Sequence, residues 1–218
     1  MYWSNWPEGP PLDSLETKEK GKIEMSWLDG SHREEFLSED IIWPNGLSID
    51  SKAKRIYWCD SFLQRIESMS LSKMDRRVHL SHKSHPKFVI QPYGLTFHQN
   101  SIFWSEFEEG HVFKFDLESK NISKILSQNP QSFALKVFDR QRQGLHKQPH
   151  PCDEAEICQD LCLVVPNGGH VCKCRDGSQL NEDGVTCQEI PDWKPPSHCR
   201  TNQFQCRANP KCIDERYT

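Results

Sequence analysis

No stretch of this chain reaches the roughly 18 consecutive apolar residues that a membrane-crossing helix needs. Nor does it open on a basic segment followed by an apolar core, so no secretory leader is expected in it. Positive charge is not in excess: at net charge −4 with 27% charged residues, the chain lacks the basic patch of a nucleic-acid binder. It also lacks a phosphate-binding loop, a dinucleotide fingerprint and a Ser-His-Asp ordering. Cysteine is almost missing from the first 150 residues, which hold only Cys59, while the other nine fall between Cys152 and Cys212. That gradient predicts a larger domain with its own core, followed by small disulfide-stapled modules that belong in an oxidising compartment. An extracellular chain without a leader is expected to be a segment of a longer secreted or membrane-anchored protein.

What the sequence does have is a repeat. Met1-Tyr2-Trp3-Ser4-Asn5, Arg55-Ile56-Tyr57-Trp58-Cys59-Asp60 and Ser101-Ile102-Phe103-Trp104-Ser105-Glu106 each put two aromatics in a strand-like segment, then a small residue, then Asn, Asp or Glu. A second element keeps step with it: Asn45-Gly46-Leu47-Ser48-Ile49-Asp50, Tyr93-Gly94-Leu95-Thr96-Phe97-His98 and Phe133-Ala134-Leu135-Lys136-Val137-Phe138. Gly94 follows Gly46 by 48 residues and Ala134 follows Gly94 by 40, the period of a four-stranded propeller blade.

In chain order, residues 1–5 read as an interior strand of a first blade, followed by an inserted surface loop at 7–20 and strands at 22–25 and 33–38. The second blade is predicted at 47–50, 55–60, 65–69 and 76–80. The third is predicted at 95–98, 102–106, 111–115 and 122–126. Leu135 to Phe138 reads as a first strand with no blade behind it, giving about three blades in an all-β fold.

The Tyr-Trp-x-Asp and Gly-Leu-x-x-Asp segments resemble the YWTD β-propeller of the low-density lipoprotein receptor family, whose complete ring has six blades. The likeness rests on Tyr2, Trp3, Tyr57, Trp58, Asp60, Phe103 and Trp104 and covers 1–143, with Ser4, Cys59 and Ser105 in place of the family's Thr and Asn5 and Glu106 in place of its Asp. Residues 144–188 resemble an EGF-like module. By spacing alone its six cysteines allow fifteen pairings; the resemblance implies Cys152 with Cys162, Cys158 with Cys172, and Cys174 with Cys187. Lys147-Gln148-Pro149-His150-Pro151 stands where calcium-binding modules carry acidic and amide residues, so the module is read as calcium-free. After a proline-bearing linker at 189–198, residues 199–218 resemble the first half of a class A repeat, in which family precedent would join Cys199 to Cys212 and leave Cys206 unpaired.

Two clusters invite a metal reading. His79, His82 and His85 sit in a polar segment ending at Pro86 and read as solvated loop residues, and Cys172 and Cys174 are accounted for by the module spacing, so no metal and no cofactor is predicted. Cys59 reads as a small core residue, and Glu108-Glu109 as a solvated face. Asn121-Ile122-Ser123 fits an N-glycosylation sequon.

The order of propeller, EGF-like module and class A repeat resembles the low-density lipoprotein receptor-related proteins. It implies a non-catalytic segment of an endocytic receptor on the extracellular or luminal side of the plasma membrane and endosomes, reaching the membrane only through parts outside this chain. Protein or lipoprotein ligands, and a folding chaperone for the open arc of blades, are the implied partners. A Wnt co-receptor-type or matrix module, or a propeller hydrolase, is the alternative, because fold does not fix function. Strand directions place the 7–20 insert and the 81–91 connection on one face, and His82 and His85 are candidates for an acid-sensitive contact there.

Overall fold

The computed structural model describes residues 1–6, 21–127, 133–139, 150–153, 157–166 and 168–194. The chain divides into two compact units, Met1–Leu145 and His146–Thr218. Among the described residues every regular element is a strand.

In the first unit, β1 (Tyr2–Asn5), β2 (Lys22–Met25) and β3 (Glu34–Leu37) form one sheet. A second holds β4 (Pro44–Asp50), β5 (Arg55–Asp60), β6 (Arg65–Ser70) and β7 (Arg77–Ser81). A third holds β8 (Pro92–His98), β9 (Ser101–Glu106), β10 (His111–Asp116) and β11 (Ile122–Ser127). Within each sheet every strand pairs antiparallel with the one before it, the meander of a propeller blade. Aspartates close the tight turns: Asp50 Oδ1 accepts from the Lys52 and Ala53 amides, and Asp116 Oδ1 from those of Glu118 and Ser119.

Three expectations are corrected. First, β1 corresponds to β5 and β9 but is an edge strand, because no described strand pairs on its other side. Second, β4 and β8 begin three residues before the segments expected of them, pairing Pro44 with Asp60 and Pro92 with Glu106 ahead of a register shift. A proline that heads a strand forfeits its N–H where the ladder has not yet started. Third, Leu135 to Phe138 forms no strand. It nevertheless runs where one would start, since a Cβ on Gly94 would lie 2.7 Å from the Phe133 carbonyl oxygen and 3.0 Å from the Leu135 nitrogen. No described strand pairs with it.

The core lies between the sheets. Ile23, Phe36, Ile41, Ile56, Trp58 and Met69 fill the first junction. Tyr57, Cys59, Ile66, Leu80, Leu95, Phe97 and Trp104 are among those filling the second. Every residue of β5 is buried, because the two-residue period of a strand sends Ile56 and Trp58 to one junction and Tyr57 and Cys59 to the other. Tyr57 stacks on Phe97 with ring centroids 4.4 Å apart and planes 5° from parallel, worth about 0.5–1.5 kcal/mol beyond the area it buries. Glycine is needed at Gly46, where a Cβ would meet the Leu95 nitrogen at 2.2 Å.

The second unit holds two hairpins, β12 (Leu161–Val164) with β13 (His170–Lys173) and β14 (Ser178–Leu180) with β15 (Cys187–Glu189). Disulfides join Cys152 to Cys162, Cys158 to Cys172 and Cys174 to Cys187. With Cys172 alone among its described residues counted as buried core, these cross-links take the place of a hydrophobic interior. A Cβ on Gly177 would lie 3.3 Å from the Trp193 ring, so part of the expected 189–198 linker packs onto the module. Cys199, Cys206, Cys212 and the 7–20 insert lie outside the described residues.

Candidate functional site

Strand direction alternates in each sheet, so turns from the second to the third strand open on the same side as the connections leading into the next first strand. The final acid of each repeat organises that side. Asp60 accepts at Oδ2 from the amides of Ile42 (2.8 Å) and Trp43 (3.2 Å), and at Oδ1 from that of Leu63 (2.9 Å). It thereby ties the connection entering its blade to the turn leaving its own strand. Glu106 holds the corresponding connection one blade on, accepting at Oε2 from Ile90 (3.2 Å) and Gln91 (2.6 Å). Its extra methylene also lets Oε1 accept from the Trp104 indole at 2.9 Å. The shorter Asp60 does not reach that far, and the buried Trp58 Nε1 has no partner among the described residues. Burial raises the Glu106 carboxyl to about 7, the bonds from Gln91, Trp104 and Ile90 only partly offsetting it. Asn5 at the first repeat instead donates to Glu24.

The small residue after each tryptophan faces the neighbouring first strand. Ser4 Oγ donates to the Asn45 carbonyl at 3.4 Å, the Cys59 thiol donates to the Tyr93 carbonyl at 3.2 Å, and Ser105 Oγ accepts from the Gly94 amide at 3.0 Å. Burial drives the Cys59 thiol far above its usual range, making it an inert core group. Tyr2 packs against the first core cluster, while Trp3 and Phe103 are only half-buried on the outer faces of the first and third sheets. A guanidinium (Arg33, 5.3 Å) covers the one and an ammonium (Lys114, 6.0 Å) the other.

Aromatic side chains crowd the side that Asp60 and Glu106 organise. Trp6 stacks on Trp43 at 6.0 Å and meets Tyr93 edge-on at 6.3 Å. Phe62 stands against Trp43, and Phe107 and Phe133 close on Tyr93 and on each other at 5.3–5.6 Å. Trp6 is 44% and Phe133 52% exposed. A cavity of about 290 Å³ opens beside them, with Trp6, Asn45, Tyr93, Phe133 and Lys136 in its wall. Asn45 Nδ2 donates to Ser61 Oγ, whose own proton goes to the Pro92 carbonyl. That order fixes the amide orientation and leaves the buried Asn45 Oδ1 without a partner among the described residues. Sequence reasoning missed this belt. Its signal was an aromatic one or two positions after each repeat: Trp6, Phe62 and Phe107.

The histidines do not form a cluster of one kind. His79 is not a solvated loop residue: it lies in β7, stacked on Tyr57 at 5.7 Å and bonded to Ser68 Oγ at 2.7 Å. Burial first, then the nearby Arg55 charge, lowers it to about 4. His82 and His85 share the β7–β8 connection, with His82 Nδ1 on the Val89 carbonyl (2.9 Å) and His85 Nδ1 on Ser84 Oγ (2.8 Å). Among the described residues, the groupings close enough to hold an ion are Cys158, His170 and Cys172, and Asp160, Cys174 and Cys187. All four of those sulfurs are committed to disulfides. Asn121 is exposed at the head of β11, and Glu108 and Glu109 are exposed.

A second repeated device also went unread. Glu24 takes two bonds from Arg33, and Glu67 two from Arg76, each acid opposite the tryptophan of its repeat. Arg76 then reaches the Glu39 and Asp40 carbonyls of the preceding connection, both at 2.8 Å.

No family model matches the chain. Its sequence is 30% identical over 189 residues to the vitellogenin receptor Yl of Drosophila melanogaster, covering 86% of this chain and 9% of that protein. Among solved structures, a nidogen/laminin complex aligns over 61% of this chain and 45% of that one, at 20% identity and a TM-score of 0.47. A luciferin-regenerating enzyme aligns over 53% and 39%, at 18% identity and a TM-score of 0.45.

Proposed function

Because the chain belongs with the low-density lipoprotein receptor-related proteins, we propose that it is a non-catalytic receptor segment that holds a protein or lipoprotein ligand on its aromatic face. The observation that carries this reading is the belt of Trp6, Trp43, Tyr93 and Phe133 beside a cavity of about 290 Å³. Large rigid rings exposed together, with a few fixed polar atoms among them, suit protein recognition. The relative is by name a vitellogenin receptor, and this chain spans about 9% of its length. Three disulfides agree with an extracellular or luminal setting, and we place the chain in a type I receptor that cycles through endosomes. The half-buried Trp3 and Phe103 faces are the surfaces a folding chaperone would cover.

Acid-dependent release belongs to the same proposal, with His82 and His85 as the residues that carry it. Both rings hold parts of the connection into β8, whose far end Glu106 brackets. Histidine is the side-chain type whose charge changes between neutral and endosomal pH. The test uses purified vitellogenin as probe over the immobilised chain, comparing release at neutral pH and at about pH 5.5 for wild type and a His82→Ala/His85→Ala variant. Faster release of the wild type in acid, absent from the variant, is the expected result. Equal release from both proteins in acid overturns the histidine role, and no binding of the probe at neutral pH overturns the ligand assignment.

A further inference from the structure

Asn121 is the only asparagine of the chain that heads an Asn-x-Ser/Thr sequence, and it is exposed where the outermost strand of the third sheet begins. The turn before it does not depend on its side chain. Asp116 accepts from the Glu118 and Ser119 amides and from Ser119 Oγ, while the Asn121 backbone carbonyl accepts from the Asp116 amide. Lys120 supplies the left-handed residue, at φ 59°. The carboxamide can therefore carry a bulky group without disturbing the fold.

β11 is also a sheet edge that needs cover. An outer strand presents a row of unpaired backbone groups, and natural proteins blunt such edges with charge. β3 carries Glu34 and Glu35, both exposed, and β7 carries the exposed Arg77. β11 reads Ile-Ser-Lys-Ile-Leu-Ser, with Ile125 53% and Leu126 47% exposed. Its one charged residue, Lys124, is exposed and lies along the sheet face, with Nζ 3.1 Å from His111 Nε2 and 5.7 Å from the Phe113 ring centre. The edge therefore exposes apolar side chains beside a single charge that is engaged with the sheet face.

We propose that Asn121 carries an N-linked glycan and that this glycan shields the β11 edge from pairing with other chains. Asn121 Nδ2 forms a bond to the anomeric carbon of an oligosaccharide delivered on a polyisoprenyl pyrophosphate. The bond from that carbon to the pyrophosphate breaks, the pyrophosphate departs with the electron pair, and the amide nitrogen loses one proton to a base of the transferase. The proposal rests on the luminal setting above but is independent of the aromatic face.

The experiment expresses the full chain behind a secretory leader in insect cells and analyses both cell contents and medium. Material sensitive to peptide N-glycosidase, and absent from Asn121→Gln and Ser123→Ala, is the expected result. Disulfide mapping of the same material separates the two ideas. Chains with the three bridges and an unmodified Asn121 overturn the site, whereas reduced chains count against the luminal setting. For the shield, sedimentation velocity follows the glycoprotein before and after enzymatic sugar removal. Self-association after removal, reversed by adding an outward charge with Ile125→Lys, supports it. Identical sedimentation before and after removal overturns it.

Discussion

Removing the Asp60 carboxylate should loosen the junction between the first two sheets by an amount that can be worked out from its bonds. Three backbone N–H groups converge on it, from Ile42, Trp43 and Leu63, and Asp60 is fully buried. Each donor left without a partner costs about 1–3 kcal/mol when dry. The three residues are themselves only half-buried, so the lower figure applies and Asp60→Ala should cost about 3 kcal/mol, a large share of the roughly 5–15 kcal/mol that holds a domain together. Asp60→Asn is gentler: its carboxamide oxygen can serve Ile42 and Trp43, and only the amino group opposes the Leu63 amide, for about 1–2 kcal/mol. Asp50 is the control, since it also accepts two amides but in an exposed turn, and Asp50→Ala should cost under about 1 kcal/mol. Urea unfolding of the four proteins at neutral pH gives the order directly. Finding Asp60→Ala no less stable than Asp50→Ala would refute the bracket.

Gly46→Ala should be destabilising by about 1–3 kcal/mol, because the new Cβ would press on the Leu95 backbone rather than on a side chain that can turn away; an unchanged unfolding midpoint would contradict the close approach. Glu106 should make stability fall as pH rises from about 4.5 to about 7, since its folded-state pKa is raised by burial to about 7 and the native state keeps a proton that the unfolded chain releases. Glu24, Asp75, Asp116 and Asp183 are shifted downward and act with the opposite sign, so the quantity to measure is the wild-type pH dependence minus that of Glu106→Gln. A difference that is flat or rises with pH would be the wrong sign. Cys59 should resist a thiol-directed alkylating reagent at pH 8 in the native protein and react once urea unfolds it, because burial pushes its thiol far up; rapid native labelling would place it outside the core.

Much of the fold could be read from the repeat because one hexapeptide specifies a buried strand and both of its neighbours. Arg55 to Asp60 reads directly as β5, and Lys22 to Met25 as β2. Pro44 and Pro92 hid the starts of β4 and β8, since proline argues against a strand except at its first residue. The tail at Leu135 to Phe138 has strand residues but no ladder, which a pattern of side chains does not report. His79 looked like its loop neighbours in sequence, and only the alternation of β7 against Tyr57 turns it inward. The aromatic face escaped notice because its members come from six places along the chain and meet only when the sheets are packed. The module cysteines were a different case: spacing left fifteen pairings open, and the family likeness singled out one.

The central claim is that the aromatic belt is where a protein ligand sits, and Trp6 and Phe133 are its most exposed members. The direct measurement is the affinity of purified vitellogenin for the immobilised chain and for a Trp6→Ala/Phe133→Ala variant, alongside thermal unfolding of both. An interface aromatic of this kind contributes about 2 kcal/mol, so binding should weaken at least about 30-fold, while the variant still unfolds cooperatively at a temperature lowered by the lost ring contacts and the lost Trp6 bond to the Pro44 carbonyl. Unchanged affinity in a folded variant would contradict the account.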